Sequence, residues 1–329
     1  MKKIKWGILG CGKIAGKFSS DLKLVEGAEL FAVASTDAER ATAFARQYGF
    51  IHAFDSYDKL CQSDVDVIYV ATPHGFHHEH VMLCLRHRKA VLCEKAFALN
   101  LPQLIELTDY ARASSIFLME AFWTRFLPQY TELLEIIRSG RIGEIRMVTA
   151  DFGFKAAEPP ARRLYDPILG GGALLDIGIY PVFLAISLLG RPEEVNAVMT
   201  PYDTGVDKQI VCGLKFKQGV LAALSASFCS DTPVEAVING TDGRIRLTNR
   251  FHNATSRIFV FSGDGREEEI SVHREQGLGY QFEARHVQEC LQKGLTESPL
   301  WSLDSSLLLM ETLDRIRKSC GIRYSHIGE

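Results

Sequence analysis

With 329 residues, the chain exceeds the size at which one hydrophobic core usually keeps growing, so two domains are expected. Hydrophobic residues make up 47% and charged residues 23%, which is typical of a folded globular protein and excludes a disordered or fibrous chain. The formal net charge is −3 and no block of Lys and Arg occurs, so nucleic acid is not expected as a partner.

The sequence also bears on membranes and on redox state. No apolar run approaches the roughly 18 to 20 uninterrupted residues that cross a bilayer, and the N-terminal apolar segment leads into a glycine-rich turn without a cleavage site. The eight cysteines contain no Cys-x-x-Cys pair, which argues against a disulfide framework and against a zinc site. We therefore expect a cytoplasmic protein with reduced thiols and no membrane partner.

The first third of the chain alternates short apolar runs with stretches of helical periodicity, in the order β-α-β-α. The predicted strands cover residues 4–10, 29–35, 66–71, 90–94 and 116–119. The predicted helices cover residues 13–22, 37–48, 75–88 and 101–114. This order predicts a parallel sheet covered on both faces, the doubly wound Rossmann fold, over residues 1–121.

The remainder, residues 122–329, is predicted as an α+β domain with an open, mostly antiparallel sheet, so the fold class is α/β. Residues 193–272 have the pattern of successive strands broken by turns, which favours an antiparallel meander. The last helix could pack back onto the N-terminal domain. The other predicted elements are a strand at 143–154 and helices at about 128–138, 173–189, 279–293 and 302–319.

The turn after the first strand carries the dinucleotide-binding pattern G-x-G-x-x-A and is followed by a helix. Gly10 permits the tight turn, Gly12 lets the backbone approach a pyrophosphate, and Ala15 permits close packing of helix on strand. The N-terminus of the helix attracts the phosphate charge. The residues predicted to bind a dinucleotide here are Gly10, Cys11, Gly12, Lys13 and Ile14.

The segment after the second strand is expected to contact the adenosine ribose of that dinucleotide. Ser35 and Thr36 could bond either cofactor, and Arg40, one turn into the next helix, could reach a 2′-phosphate. Asp37 could bind the 2′-hydroxyl of NAD or could initiate the helix. The predicted cofactor is therefore NADP or NAD, with NADP slightly favoured.

Four histidines lie between residues 74 and 80, after the strand that ends at Ala71. Histidines at helical spacing suggest a metal site, but no acid or cysteine completes a ligand set, so no metal is predicted. This turn lies at the carboxyl edge of the sheet, where Rossmann enzymes bind the nicotinamide and its ribose. The residues placed at the cofactor are Thr72, Pro73, His74 and His77, and those expected to be solvated are His78 and His80.

Lys95 follows the strand at 90–94, so it lies at the same carboxyl edge as the two turns described above. Three loops therefore meet at one crevice, and Glu94 and Lys95 lie on the third. Trp123 and Arg125 are expected to line the cofactor and substrate regions, although an aromatic and basic pair after a strand often only packs domains together.

At these residues the chain resembles the glucose-fructose oxidoreductase/inositol dehydrogenase family, Gfo/Idh/MocA, over essentially its full length. The shared motifs are GCGKIA at 10–15, ATPHGFH at 71–77 and EK at 94–95. Within the family, MEAFWTRFLP at 119–128 and GGGALLDIGIYP at 170–181 resemble the dimeric dihydrodiol dehydrogenase branch. Ala96 stands where the family has proline, which leaves the cis or trans geometry of the Lys95–Ala96 peptide open.

The resemblance implies that Lys95 and Tyr180 are catalytic, because this branch carries Tyr where most relatives carry His. It also implies a segment at 279–283 that borders the substrate, and a homodimer that buries the open face of the sheet. The residues expected at the substrate are Phe154, Asp176, Tyr180 and Tyr280.

Asp176 and Tyr180 are four residues apart in a helix that is otherwise apolar almost all round, so this helix should be buried. A carboxylate and a phenol on one face of a buried helix need partners or a polar cavity. The alternative is a tyrosine packed by its ring and an aspartate that caps nearby backbone.

The expected chemistry is hydride transfer between nicotinamide C4 and a carbinol carbon, coupled to proton transfer through Tyr180. The reference pKa of tyrosine is about 10, and a nearby ammonium such as that of Lys95 favours the phenolate. Lys95 could also bind the substrate oxygen, and Asp176, the third predicted catalytic residue, could orient substrate hydroxyls or the lysine.

The predicted function is that of an NAD(P)-dependent dehydrogenase acting on a CH–OH group of a cyclic polyol, sugar or trans-dihydrodiol. Two alternatives stay open: a non-catalytic dinucleotide-binding regulator, and a sugar lyase or hydrolase that uses bound NAD transiently. Lys95, Asp176 and Tyr180 argue against the regulator, which needs none of them.

Overall fold

The structure, a computed structural model, describes residues 3–157 and 160–324 and contains two compact units. The first unit comprises the chain up to Phe126 together with Glu275–Leu307. The second comprises Leu127–Arg274 together with the residues from Leu308 onward. The first unit therefore runs past the predicted boundary at residue 121, and it also contains the segment that begins near residue 279.

The first unit contains a six-stranded parallel sheet in the order β3-β2-β1-β4-β5-β6. Its strands are β1 Ile4–Leu9, β2 Ala28–Ala34, β3 His52–Phe54, β4 Val67–Val70, β5 Ala90–Glu94 and β6 Leu118–Ala121. The strand order reverses between β1 and β4, and this switch point is where a doubly wound sheet opens a crevice at its carboxyl ends. The predicted Rossmann fold is confirmed.

Helices connect these strands and continue through the second unit. The α-helices are α1 Lys13–Leu22, α2 Ala38–Tyr48, α3 Tyr57–Gln62, α4 His77–Arg86, α5 Leu101–Ser114, α6 Pro128–Arg138, α7 Arg162–Tyr165, α8 Ile179–Leu189, α9 Tyr280–Gln292 and α10 Leu303–Cys320. The sequence did not predict β3 and α3, because three and six residues are too few for a periodic signal.

The second unit contains an eight-stranded sheet in the order β14-β13-β12-β11-β7-β10-β9-β8. Its strands are β7 Ile145–Gly153, β8 Glu194–Pro201, β9 Asp207–Lys215, β10 Leu221–Ser227, β11 Ala236–Gly240, β12 Gly243–Thr248, β13 Arg257–Ser262 and β14 Glu267–Ile270. The predicted antiparallel meander needs correction at its centre. There β7 lies between β10 and β11 and pairs in parallel with β10. A parallel pair needs a long crossover connection, and α8, β8 and β9 provide it between β7 and β10.

The helix α8 forms the core of the second unit against one face of this sheet. Every residue from Ile179 to Ile186 is buried, so this helix has no polar face. Each fully buried aliphatic side chain contributes about 1.5–3 kcal/mol. The predicted single helix at 173–189 is wrong in its first part, because Leu174–Gly178 forms a π-helical turn.

By length and composition alone, Pro167–Leu189 could cross a membrane, although glycines, Pro181 and Asp176 interrupt its apolar run. Most of this segment, 78% of the window concerned, is buried inside the protein. It is thus placed as a core helix of the second unit.

Candidate functional site

The turn after β1 has the geometry of a phosphate cradle. Gly10 has φ +100°, and a Cβ at this position would lie 3.0 Å from Thr72 Cγ2 and 3.2 Å from the carbonyl oxygen of Ala71. Gly12 is the N-cap of α1, and no side chain accepts a hydrogen bond from the backbone N–H groups of the first helical turn. These N–H groups face the carboxyl edge of the sheet, where they can bind a phosphate. This backbone fits the pyrophosphate of a dinucleotide.

At the end of β2, Arg40 is held by two hydroxyl groups. Its Nε donates to Ser35 Oγ at 2.8 Å, and its Nη2 lies 3.5 Å from Thr36 Oγ1. Asp37 is the N-cap of α2 and accepts the backbone N–H of Arg40 at 3.0 Å, so the helix-initiating interpretation of Asp37 holds. A guanidinium therefore lies where a Rossmann domain contacts the adenosine ribose.

The histidine cluster joins two loops of the first unit. His77 is fully buried, and its ring nitrogens lie 2.7 Å from the carbonyl oxygens of Ala96 and Thr72. Burial lowers the pKa of His77 to about 4, although both backbone contacts oppose that change. His74 is also buried and packs its ring edge against His77, with centroids 5.6 Å apart. These histidines order the loops after β4 and β5.

His78 and His80, which were expected to be solvated, are both half-buried. His78 Nε2 pairs with Glu106 at 2.8 Å. His80 Nδ1 lies 2.9 Å from Thr72 Oγ1, and its ring contacts that of Tyr57 edge-on with centroids 4.8 Å apart. Burial lowers the pKa of His80 to about 4. Across 3–157 and 160–324, no group of three His, Cys, Asp or Glu side chains is arranged to hold a metal ion.

Lys95 follows the last residue of β5 and is half-buried. The peptide bond between Lys95 and Ala96 is cis, which settles the point that the sequence left open. Glu94 accepts a hydrogen bond from the hydroxyl of Tyr69, whose ring stacks on that of Phe18 at 3.8 Å. Lys95 therefore follows β5 at the same carboxyl edge of the sheet as the glycine-rich turn.

Glu120 and Glu283 are also buried in the first unit, and the sequence did not mark them as site residues. Glu120 accepts hydrogen bonds from Trp301 Nε1 at 3.0 Å and from Ser306 Oγ at 2.7 Å, and burial raises its pKa to about 7. Neither oxygen of Glu283 has a hydrogen-bond partner among the described residues. Burial, reinforced by the charges of Glu94 and Asp21, raises the pKa of Glu283 well above its ordinary value.

Trp123 and Tyr280, both predicted at the site, are brought together in the first unit. Their rings stack with centroids 4.6 Å apart and an interplanar angle of 17°. Asp21 fixes the start of α9, because its Oδ2 accepts the backbone N–H of Gly279 and that of Tyr280, each at 2.9 Å. Arg125 donates from Nε to the carbonyl of Leu300 at 2.9 Å.

Asp176 and Tyr180 lie at the other predicted centre, in the second unit. Asp176 forms a bidentate ion pair with Arg163, with both N–O distances 3.0 Å. Tyr180 is 7% exposed, and its ring contacts those of His252 and Phe152, with centroids 4.5 and 5.8 Å away. The π-helical turn that carries Asp176 leads directly into α8, and such turns are frequent at functional sites.

Arg163 and His252 were not predicted. Arg163 lies in the four-residue helix α7 and His252 in a turn, and neither carries a motif or a periodic signal that marks it. Phe154, which was predicted, packs its ring against Phe228 with centroids 5.2 Å apart. The aromatic and ionic surroundings of Tyr180 therefore come from several distant parts of the sequence.

Comparisons with known proteins agree with this organisation. A family model described as "Oxidoreductase family, NAD-binding Rossmann fold" matches residues 4–122, and one described as "GFO/IDH/MocA C-terminal domain" matches residues 130–246. The chain is 37% identical over 330 residues to a Xenopus tropicalis protein named trans-1,2-dihydrobenzene-1,2-diol dehydrogenase. That match covers 97% of this chain and 99% of the relative.

Solved structures give the same result. The chain matches KijD10, a 3-ketoreductase from Actinomadura kijaniata in complex with NADP and TDP-benzene, with a TM-score of 0.86, 28% identity and coverage of 97% and 98% of the two chains. It matches an aldose-aldose oxidoreductase from Caulobacter crescentus, complexed with glycerol, with a TM-score of 0.89, 25% identity and the same coverage. The predicted resemblance is confirmed. The chain is a dehydrogenase-type enzyme with an NAD-binding Rossmann domain, and it belongs to the GFO/IDH/MocA oxidoreductase family, beside the trans-1,2-dihydrobenzene-1,2-diol dehydrogenases.

Proposed function

We propose that the protein oxidises or reduces a cyclic polyol, sugar or trans-dihydrodiol, with NADP as the preferred cofactor. When bound, the cofactor supplies nicotinamide C4 as the hydride acceptor or donor. The observation that carries the proposal is a buried tyrosine in the second unit, Tyr180, four residues from a carboxylate held by Arg163. The names of the Xenopus relative and of the 3-ketoreductase support the substrate class.

The preference for NADP follows from Arg40. A guanidinium pairs with phosphate through parallel N–H bonds, and the Ser35 hydroxyl holds its Nε at 2.8 Å. The carboxylate of Asp37 is engaged by the backbone N–H of Arg40, so it serves α2 as a cap. Ser35, Thr36 and Arg40 would therefore bind the 2′-phosphate, and Gly10 and Gly12 would hold the pyrophosphate.

Tyr180 and Lys95 have different proposed roles at the reacting oxygen of the substrate. In oxidation, the Tyr180 phenolate accepts the hydroxyl proton of the substrate, and in reduction the Tyr180 phenol donates that proton to the carbonyl oxygen. The Lys95 ammonium stabilises negative charge on that oxygen. Each carboxylate oxygen of Asp176 accepts one hydrogen bond from Arg163. A carboxylate oxygen can accept more than one hydrogen bond, so Asp176 would also accept one from a substrate hydroxyl and orient it.

We also propose a homodimer formed through the outer face of the eight-stranded sheet. Val198, Val211 and Leu221 point to this face and are 72%, 55% and 49% exposed. The register places Val198 beside Val211 and Leu221 beside Met147. Exposed apolar side chains gathered on one sheet face mark an interaction surface, and such a face can pair with its own copy about a two-fold axis. A second copy of this chain is therefore the proposed occupant.

The role of Tyr180 is tested by Tyr180→Phe, assayed with purified enzyme and a panel of trans-dihydrodiols and cyclic polyols. Loss of a general acid-base group typically lowers kcat by about 10²- to 10⁴-fold, and we expect that fall with unchanged NADPH binding. Tyr202→Phe, at a half-buried tyrosine of the same unit, is the matched control and should keep the kcat of the parent. If Tyr180→Phe kept the parent kcat, Tyr180 would not be the acid-base group of the reaction.

A further inference from the structure

Asp207, the first residue of β9, is fully buried beside the segment that carries Asp176 and Tyr180. Its Oδ2 accepts the backbone N–H of Leu174 at 2.7 Å. Leu174 opens the π-helical turn that contains Asp176 and continues into α8. The carboxyl group thus contacts the catalytic segment at its first amide, without lying on that segment itself.

The close approach of Asp207 requires a glycine in the preceding loop. Gly172 has φ +120°, a conformation that favours glycine, and a Cβ there would lie 2.5 Å from Asp207 Oδ1. Any side chain at position 172 would displace the carboxyl group from Leu174. Gly172 is therefore needed for the contact with Asp207 as well as for the turn.

The carbonyl side of the same loop is held by the C-terminal part of the second unit. The hydroxyl of Tyr324 donates to the carbonyl of Gly171 at 2.6 Å. The guanidinium of Arg317, itself 1% exposed, lies over the Tyr324 ring at 5.2 Å from its centroid. The loop before the π-helical turn is thus fixed on one side by Asp207 and on the other by Tyr324.

The electrostatics of Asp207 are unusual for a simple helix cap. Burial raises its pKa to about 6, while the N–H of Leu174 and the charge of Arg317 oppose that rise. The backbone N–H groups of Asp207 and Ala173 also oppose that rise, but none makes a hydrogen bond of normal geometry to the second oxygen, Oδ1. A buried carboxyl oxygen without a partner is unfavourable, whereas the exposed cap Asp37 gives α2 its first bond without that cost.

We infer that Asp207 is a positioning residue that fixes the π-helical turn through the N–H of Leu174, and with it the side chains of Asp176 and Tyr180. The inference rests on the proposed role of Tyr180. Asp207 touches no reacting atom in this account. Its effect passes through the backbone of the turn, so its loss should change kcat more than the KM of the substrate.

The test compares Asp207→Ala and Asp207→Asn in the full chain by hydrogen–deuterium exchange and by steady-state kinetics. In Asp207→Ala we expect faster exchange of the amides at 173–178, kcat per folded enzyme at least ten-fold lower, and KM and NADPH affinity within two-fold of the parent. Asp207→Asn keeps an acceptor oxygen for Leu174, so it should retain slow exchange and stay within three-fold of the parent kcat. Equal losses in both variants would overturn the inference.

Gly172→Ala covers the case in which Asp207→Ala fails to fold, because it leaves Asp207 in place and adds the obstructing Cβ. It should also speed exchange at 173–178 and lower kcat at least ten-fold. Asn100→Ala is the control, since it removes a buried N-cap from α5, which carries no candidate site residue. It should leave exchange at 173–178 and kcat unchanged.

The exchange experiment separates this inference from the proposed function. If Tyr180→Phe kept the parent kcat, the role of Tyr180 would fail, but exchange at 173–178 would still report whether Asp207 holds the turn. Unchanged exchange in Asp207→Ala would overturn the inference. So would faster exchange with an unchanged kcat, since the contact would then serve only the fold.

Discussion

The ring of His252 lies against the ring of Tyr180, with centroids 4.5 Å apart and planes inclined by 37°. His252 also stacks on Phe152 at 4.4 Å, so it is the central ring of a three-ring cluster. Such aromatic pairs contribute about 0.5–1.5 kcal/mol beyond the area that they bury. The orientation of the Tyr180 phenol therefore depends on a loop residue more than seventy positions away in the chain.

The contact predicts different effects for two substitutions at position 252. His252→Ala removes the ring, so we expect stability to fall by about 1 kcal/mol and kcat to fall about ten-fold. His252→Phe keeps a ring of similar size and should stay within a few-fold of the parent kcat. Thermal unfolding and steady-state kinetics check both. A His252→Phe enzyme as impaired as His252→Ala would show that packing on Tyr180 is not the reason for the loss.

Cofactor preference should depend on Arg40. Charged hydrogen bonds contribute about 1.5–3 kcal/mol, so Arg40→Ala should weaken NADPH binding about 10- to 100-fold and leave NADH binding within two-fold. Tryptophan-fluorescence titration measures both affinities. Arg46→Ala, at an exposed arginine in the last turn of the same helix, controls for loss of charge and should change neither affinity. If Arg40→Ala weakened the binding of NADPH and of NADH equally, Arg40 would not form a 2′-phosphate pocket.

Glu120 predicts a pH dependence of stability. Its pKa is raised from 4.5 to about 7 in the folded protein, so the folded state binds the proton more tightly than the unfolded state does. This contribution is fully present below pH 4.5 and is lost as the pH rises through 7. One pKa unit corresponds to about 1.4 kcal/mol, so the loss amounts to about 3 kcal/mol at most.

Glu120→Gln keeps an acceptor for Trp301 and Ser306 and carries no titrating proton. Urea unfolding from pH 4 to pH 8 should therefore show the parent losing stability relative to this variant as the pH rises. The exposed Glu135→Gln serves as the control and should follow the parent. Parallel curves for Glu120→Gln and the parent would show that folding does not raise the pKa of Glu120.

Most of the fold could be predicted from the sequence because its signals are local. The glycine pattern at 10–15 follows a strand and opens a helix, and this context specifies a Rossmann unit. Asp176 and Tyr180 stood out as polar residues in an apolar helix. Their partners could not be predicted, since Arg163, His252 and Asp207 come from three irregular or distant segments that meet only in the folded unit.

Two structural errors have the same origin. Antiparallel pairing was expected along 193–272, but β7, which precedes α8 in the chain, takes the central place between β10 and β11. The π-helical turn at Leu174–Gly178 has the same apolar composition as an α-helix, so its extra residue per turn has no sequence signal. Both features follow from packing against remote elements.

The dimer proposal predicts a change of mass on substitution of the outer sheet face. The parent should have twice the chain mass of 36.7 kDa in analytical ultracentrifugation, and Val211→Glu should shift the protein to a single chain mass. Ile51→Glu is the matched control, because Ile51 is an equally exposed apolar residue, at 59%, in the first unit. A parent of one chain mass over a wide concentration range would contradict the dimer.

The most direct test of the proposed reaction follows the hydrogen itself. Purified enzyme is incubated with NADP and with trans-1,2-dihydrobenzene-1,2-diol, or with cyclic polyols, carrying deuterium at the carbinol carbons, and the reduced cofactor is analysed by mass spectrometry. The account predicts one deuterium in each NADPH formed, and about 10²- to 10⁴-fold slower label transfer in Tyr180→Phe. Product formation without labelled NADPH, or no transfer from any member of the panel, would contradict it.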